Sequence, residues 1–207
     1  MNTSISREPL PDITMNIYRI AVLVGSLRKE SLNRRFAEAL YRLAPPGFTF
    51  FEVPIGGLPP YNEDDEPNPA ASVLRLKRDI GGADALLFVT PEYNRSIPGV
   101  LKNALDHASR PYGQSSWAGK PGAIVGVSAG APGTSMAQQH LRNILAYLDV
   151  PVLCQPEVFI QAKEVLFAED GGIGEASRQF MRAWMERYVS WVKLFAAGGS
   201  GLEGGAA

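Results

Sequence analysis

The sequence predicts a doubly wound α/β fold, one parallel sheet with helices packed on both faces. Three observations carry that prediction. Short β-branched apolar runs recur along the chain, segments with a 3.6-residue apolar period separate them, and the connections between are short. The length of 207 residues suits one domain of this kind rather than two. That domain is expected over residues 16–196. It follows a polar lead-in at 1–15, which lacks an apolar core of signal-peptide type, and precedes a Gly- and Ala-rich tail at 197–207.

The strands come first. Ile17–Val24 (IYRIAVLV), Ala85–Val89 (ALLFV) and Ala123–Val127 (AIVGV) are near-continuous apolar runs, the mark of strands covered on both faces. Phe48–Val53 and Val150–Leu153 are weaker runs and supply the second and fifth strands. Four helix faces follow from the longer period. They are Phe36, Ala37, Leu40 and Ala44; Val100, Leu101, Ala104, Leu105 and Ala108; Ala137, Leu141, Ile144, Leu145 and Leu148; and the aromatic stripe of Phe180, Trp184, Tyr188, Trp191 and Phe195. Asn33 is placed to cap the first helix, and Pro98 suits the first turn of the helix after the third strand. Five strands joined by helices fit the flavodoxin-like order 2-1-3-4-5 better than a six-stranded dinucleotide fold.

Composition excludes several functions. Lys+Arg 20 against Asp+Glu 21 leaves a formal charge of −1, so no whole-chain basic footprint for nucleic acid is present. No apolar run approaches the ~20 residues a membrane-spanning helix needs. A lone cysteine, Cys154, allows no internal disulfide and fits a reducing, cytoplasmic setting. One Cys and two His make a structural zinc site implausible, so no metal is expected. Cys154 reads as a buried thiol, His107 and His140 as packing or surface residues, and Glu63–Glu66 as a solvated loop. The Trp184–Trp191 stripe reads as core or interface. Arg142 points away from the apolar stripe of its helix, either to solvent or to a subunit contact.

Ligands bind such sheets beyond the carboxyl ends of the strands, where the strand order reverses. Three connections should meet there. The first, Gly25–Asn33 (GSLRKESLN), joins a strand to a helix N-terminus, which favours a phosphate. Ser26, Ser31 and Asn33 add donors and Arg28 a bidentate cation. With one Gly it matches neither G-x-G-x-x-G nor a P-loop, so a terminal monophosphate suits it better than a pyrophosphate. The same Ser and Asn serve equally well as plain helix caps. The second, Thr90–Pro98, is stiffened by its two prolines and by the Gly99 that follows. Glu92, Tyr93 and Asn94 at its mouth could read the edge of a flat heterocycle, or the segment could be a solvated turn. The third, Ser128–Ser135 (SAGAPGTS), has small residues that permit close approach to the backbone, while Thr134 or Ser135 could instead cap the next helix.

GSLRKESLN, PEYNRSIPGVLKNALDHASRP and GKPGAIVGVSAGAPGTSMAQQHLRNILAYLDVP resemble the NADPH-dependent FMN reductase family, nearest its bacterial quinone and chromate reductase branch. The resemblance covers about Tyr18 to Pro156 and is most specific in PEYN-x-S-x-P-G-x-L-K-N. It implies a flavodoxin-like fold holding FMN without a covalent link, NADPH or NADH as electron donor, and a homodimer or homotetramer with the flavin near a subunit interface. By residue matching, Ser26, Arg28, Ser31 and Asn33 hold the phosphate. Pro91, Glu92, Tyr93 and Asn94 border the isoalloxazine ring, and Ser128 and Gly130 flank it. His107 stands where relatives often carry Trp, a departure that bears on the outer wall of the pocket.

The implied reaction is a ping-pong cycle that passes a hydride from NAD(P)H through FMN to quinones or to chromate, azo or nitro compounds. The chemistry belongs to the flavin, so no side chain is expected as a catalytic nucleophile. Two rivals remain at this point, an electron carrier of flavodoxin type and a flavin-based redox sensor without efficient turnover. Carriers tend to be strongly acidic, and the near-neutral balance here weighs against that one.

Overall fold

In the computed structural model, which describes residues 16–198, five parallel strands form one sheet in the order β2-β1-β3-β4-β5. In chain order the elements are β1 (Tyr18–Val24), α1 (Leu32–Tyr41), β2 (Phe48–Glu52), α2 (Ala71–Gly81), β3 (Ala85–Val89), α3 (Gly99–Ala108), β4 (Gly122–Ser128), α4 (Ser135–Tyr147), β5 (Phe159–Gln161) and α5 (Glu175–Gly198). Short 3₁₀ turns lie at Glu63–Asp65 and Glu164–Leu166. The expected lead-in, 1–15, lies outside the described residues, as does the tail beyond Gly198. Helix α5 itself runs two residues past 196, the expected domain end.

Why the central strands read as unbroken apolar runs is now plain. Side chains alternate across a strand, and both faces are covered. Ile20, Val22 and Val24 of β1, with Leu87 and Val125, pack under α1 and α5 against Phe36, Leu40, Trp184 and Tyr188. Ala21 and Leu23, with Leu86 and Phe88, pack under α2, α3 and α4 against Leu76, Leu101, Leu105 and Leu141. Trp184 and Tyr188 are therefore core, and their rings stack at 5.5 Å between centroids. The Tyr188 hydroxyl donates to the Leu86 carbonyl at 2.9 Å, and burial pushes its pKa well above that of a free phenol.

Several expectations are corrected. The fifth strand is Phe159–Gln161, paired with the end of β4, not Val150–Leu153. In the expected segment Val152 makes one isolated bridge to Gly122. Pro151 and Pro156 flank the stretch between and have no N–H to continue a ladder. Cys154, in that stretch, is exposed rather than buried, because the strand expected to carry it inward does not form there. Arg142 is not solvated. It donates to the Leu153 carbonyl at 3.1 Å and lies 3.6 Å from the Glu157 carboxylate of its own chain. Helix α2 sends only Val73, Leu76 and Ile80 into the core, too weak a stripe to announce itself. The first helix is capped by Ser31, whose hydroxyl accepts the Arg34 N–H at 3.2 Å, not by Asn33.

Candidate active site

The connections after β1, β3 and β4 do converge, and named contacts lock them together. Gly25 opens the first. Its N–H donates to the Val89 carbonyl at 2.9 Å, and a β-carbon there would sit 2.9 Å from Thr90 Oγ1. Asn33 closes the same connection from inside. Its amide nitrogen donates to the Val127 carbonyl at 2.9 Å, and its oxygen accepts the Val127 N–H at 3.0 Å. Glu92 ties the second connection to the third by accepting the N–H groups of Met136 and Ala137 at 3.0 and 3.1 Å. It thereby caps α4, whose own N-cap residue Thr134 is left-handed at φ 73° and offers no side-chain cap. The acid placed at a helix N-terminus also complements the helix dipole.

The first connection presents unspent donors. Ser26 and Ser31 are buried at 4% and 6% exposure. Their oxygens accept the N–H groups of Arg28 and Arg34, but neither hydroxyl donates to anything among the described residues. Arg34 is consumed from behind. It forms a fork to the Glu52 carboxylate at 2.9 Å on both arms and donates to the Arg28 carbonyl at 2.9 Å and the Ser26 carbonyl at 3.3 Å. The Glu52 hydrogen bond raises the guanidinium pKa further, so Arg34 is a permanently charged brace for the loop. Arg28, by contrast, is exposed and its side chain has no partner among the described residues. A cation and two hydroxyls without acceptors thus lie on the one connection that leads into the start of α1.

The second connection is a tight turn. Tyr93 and Ser96 exchange backbone hydrogen bonds at 2.9 and 3.0 Å, and Asn94 and Arg95 between them have φ of 52° and 65°. Positive φ at both central residues is the type I′ pattern. The N–H groups of Glu92, Asn94 and Arg95 donate to nothing among the described residues, so they remain available to the edge of a flat ring. Tyr93 is 47% exposed at the same mouth. In the third connection Gly130 is exposed and has room around it, while the Ser128 hydroxyl is spent on the Gly130 carbonyl at 3.1 Å.

The structure brings together the three connections that carry the ten expected residues and divides the work of those residues. Ser26, Arg28, Ser31 and the backbone N–H groups of Asn94 and Arg95 keep donors with no partner among the described residues. Asn33, Glu92 and Ser128 are committed to holding the connections in place. Sequence reasoning passed over Arg95 and Ser96, because Asn-Arg lacks the glycine that signals a two-residue hairpin turn. It also missed the pairing of Ser96 with His140, at 2.7 Å between Oγ and Nδ1. His107 lies away from the crevice, buried in α3 with Nε2 2.8 Å from the Pro59 carbonyl and its ring at the edge of Tyr61. No His, Cys, Asp or Glu cluster able to hold a metal occurs among the described residues. No helix among them is long and apolar enough to cross a membrane.

The chain is similar to known proteins over most of its length. Residues 18–164 match the NADPH-dependent FMN reductase family. A 2-hydroxy-1,4-benzoquinone reductase from a Burkholderia species is 52% identical over 176 residues, covering 84% of this chain and 96% of that protein. A quinone reductase from Pseudomonas putida is 50% identical over 179 residues, covering 86% and 96%. Among solved structures, FerB, a flavoenzyme NAD(P)H:(acceptor) oxidoreductase from Paracoccus denitrificans, superposes with a TM-score of 0.83 at 43% identity. That match covers 86% of this chain and 99% of FerB.

Proposed function

This chain belongs to the NADPH-dependent FMN reductase family, and from that premise we propose that it is a cytoplasmic, FMN-dependent NAD(P)H:quinone oxidoreductase. One observation carries the reading. The hydroxyls of Ser26 and Ser31 are buried donors without an acceptor on the connection into α1, and the same connection carries the exposed, unpaired guanidinium of Arg28, the charge and donor types a terminal monophosphate requires. Bound there, FMN would supply the redox chemistry, hydride uptake from NAD(P)H and two-electron delivery to a quinone, in a ping-pong cycle. The chain's own part is to grip and orient. Ser26, Arg28 and Ser31 hold the phosphate end. The free N–H groups of Asn94 and Arg95 meet the ring edge, where they stabilise negative charge. Gly130 leaves space for the flat ring, and Tyr93 flanks it. Asn33, Glu92 and Ser128 hold the surrounding loops in register. An open, flat crevice discriminates weakly among acceptors, so chromate, azo and nitro compounds join quinones as substrates.

The absorbance spectrum of the purified protein tests the cofactor and the donor together. Flavin bands that bleach on anaerobic addition of NADPH and return with 1,4-benzoquinone are expected. A carrier or sensor would show little steady-state turnover. Arg28→Ala is expected to weaken FMN binding more than about tenfold, since the loop's other unpaired cation, Lys29, lacks the bidentate fork of a guanidinium. Fluorescence titration reads it, and an unchanged affinity would remove Arg28 from the phosphate site.

The same reading includes a homodimer or homotetramer. The aromatic stripe of α5 no longer motivates this, because Trp184 and Tyr188 are spent on the core. Its support moves to the α3–α4 side. There Tyr112 and Tyr147 are 87% and 85% exposed. They flank a cleft of about 710 Å³ that includes Ile144 and Leu148. Apolar side chains presented this way mark association surfaces. Light scattering at micromolar concentration should give a multiple of 22.4 kDa, and a monomer would count against the assignment.

A further inference from the structure

The turn at the crevice mouth carries a residue that its backbone disfavours. A type I′ turn prefers Asn-Gly at its centre. Asn94 fits, but Arg95, at φ 65°, occupies the position where a side chain is strained. The turn does not relax. Glu92 anchors one end to the α4 amides, Ser96 is hydrogen-bonded to His140 of α4, and Ile97 and Pro98 are buried behind it. The backbone of Arg95 thus has one place while its side chain stays exposed. Its guanidinium meets Met136 Sδ at 3.0 Å and is paired with no carboxylate among the described residues. The nearest acid in sequence, Glu92, has already committed an oxygen to two amides of α4.

This free cation is separate from the one that serves the phosphate loop. Arg28 precedes α1, which covers one face of the sheet with α5. Arg95 lies against α4, which covers the other face with α2 and α3. We propose that Arg95 is a specificity-determining residue that holds a phosphate of the nicotinamide dinucleotide as it enters the crevice. The proposal rests on the NAD(P)H reading above. A donor whose nicotinamide meets a ring bordered by Tyr93 and Asn94 must carry its phosphates past the neighbouring surface. An exposed guanidinium without an internal counter-charge binds phosphate in a fork. Retaining a strained arginine where glycine suits the turn is the observation that asks for such a partner.

Arg95→Gly is the informative variant, because glycine relieves the turn and thermal stability should hold or rise. Steady-state rates with 1,4-benzoquinone are compared for NADPH, NADH and dihydronicotinamide riboside, which carries no phosphate. KM for the dinucleotides should rise at least about fivefold and lose much of its salt dependence, while KM for the riboside stays put. Arg95→Lys should recover part of the loss. A rise confined to NADPH assigns the 2′-phosphate, and a rise for both dinucleotides assigns the diphosphate. Equal rises for all three donors, unchanged dinucleotide KM, weaker FMN binding by fluorescence, or an altered oligomer mass would each overturn the assignment. A wild-type protein that oxidises none of the donors would instead overturn the NAD(P)H reading, and this proposal with it.

Discussion

Gly126→Ala is expected to destabilise the protein by about 3 kcal/mol or more, at the upper end of what one inserted methyl costs in a packed interior. A β-carbon at this position in β4 overlaps Thr134 Oγ1 and the Thr90 carbonyl oxygen, with Thr134 Cβ at 3.1 Å. Neither obstacle gives way easily. The Thr90 oxygen is backbone at the start of the second connection. Thr134 is fully buried and accepts a hydrogen bond from Gln138 at 2.9 Å. The methyl therefore pushes apart the second and third connections, and on the proposed reading FMN affinity should fall together with stability. Urea denaturation reads the first effect as a lower midpoint with an unchanged slope. Adding Thr134→Ala removes one obstacle and leaves the carbonyl, so the double variant should recover only part of the loss. A wild-type midpoint for Gly126→Ala would contradict the close approach of these strands and loops.

Asn33→Ala is expected to cost about 2–5 kcal/mol, because it strands two buried backbone groups at once. Asn33, 3% exposed, both donates to and accepts from Val127. Alanine leaves that N–H and C=O unpaired beneath α1, and water has no ready path to them. Asn33→Asp keeps the acceptor but sets a carboxylate against the Val127 carbonyl, so it should not rescue. Two measurements check this, the denaturation midpoint and hydrogen exchange at the Val127 amide, which should quicken. FMN binding should weaken as well, since Asn33 fixes the end of the connection that carries Arg28 and Ser31. An unperturbed midpoint and unchanged exchange would reduce the bracket to an incidental contact.

These two positions mark where sequence reasoning ran out. Asn33 was legible as a polar residue in a phosphate-type loop, yet its bonds are to a residue 94 positions away. No local pattern records that distance. Gly126 read as an ordinary apolar-strand glycine, because its constraint comes from Thr90 and Thr134 on other connections. Glu92 looked like a ring-edge residue and proved to be the cap of α4, a partnership set by how the second and third connections stack. Cys154 and the fifth strand went astray for a related reason. A short apolar run states a preference for burial, but only the register of β4 decides which short segment completes the edge.

The sequence by itself determined the layered sheet, its strand order, and which connections meet at the carboxyl ends of the strands. Continuous apolar runs are stable only when covered on both faces, and the loops were set apart by the residue types they hold. Tertiary structure alone decided which residues of those loops remain free to meet a ligand and which are used up in holding one another. Hydrogen-bond capacity is finite. A side chain whose donors and acceptors are already paired across the fold, as Asn33's are with Val127, has little left to offer, whereas the guanidinium groups of Arg28 and Arg95 pair with no carboxylate among the described residues.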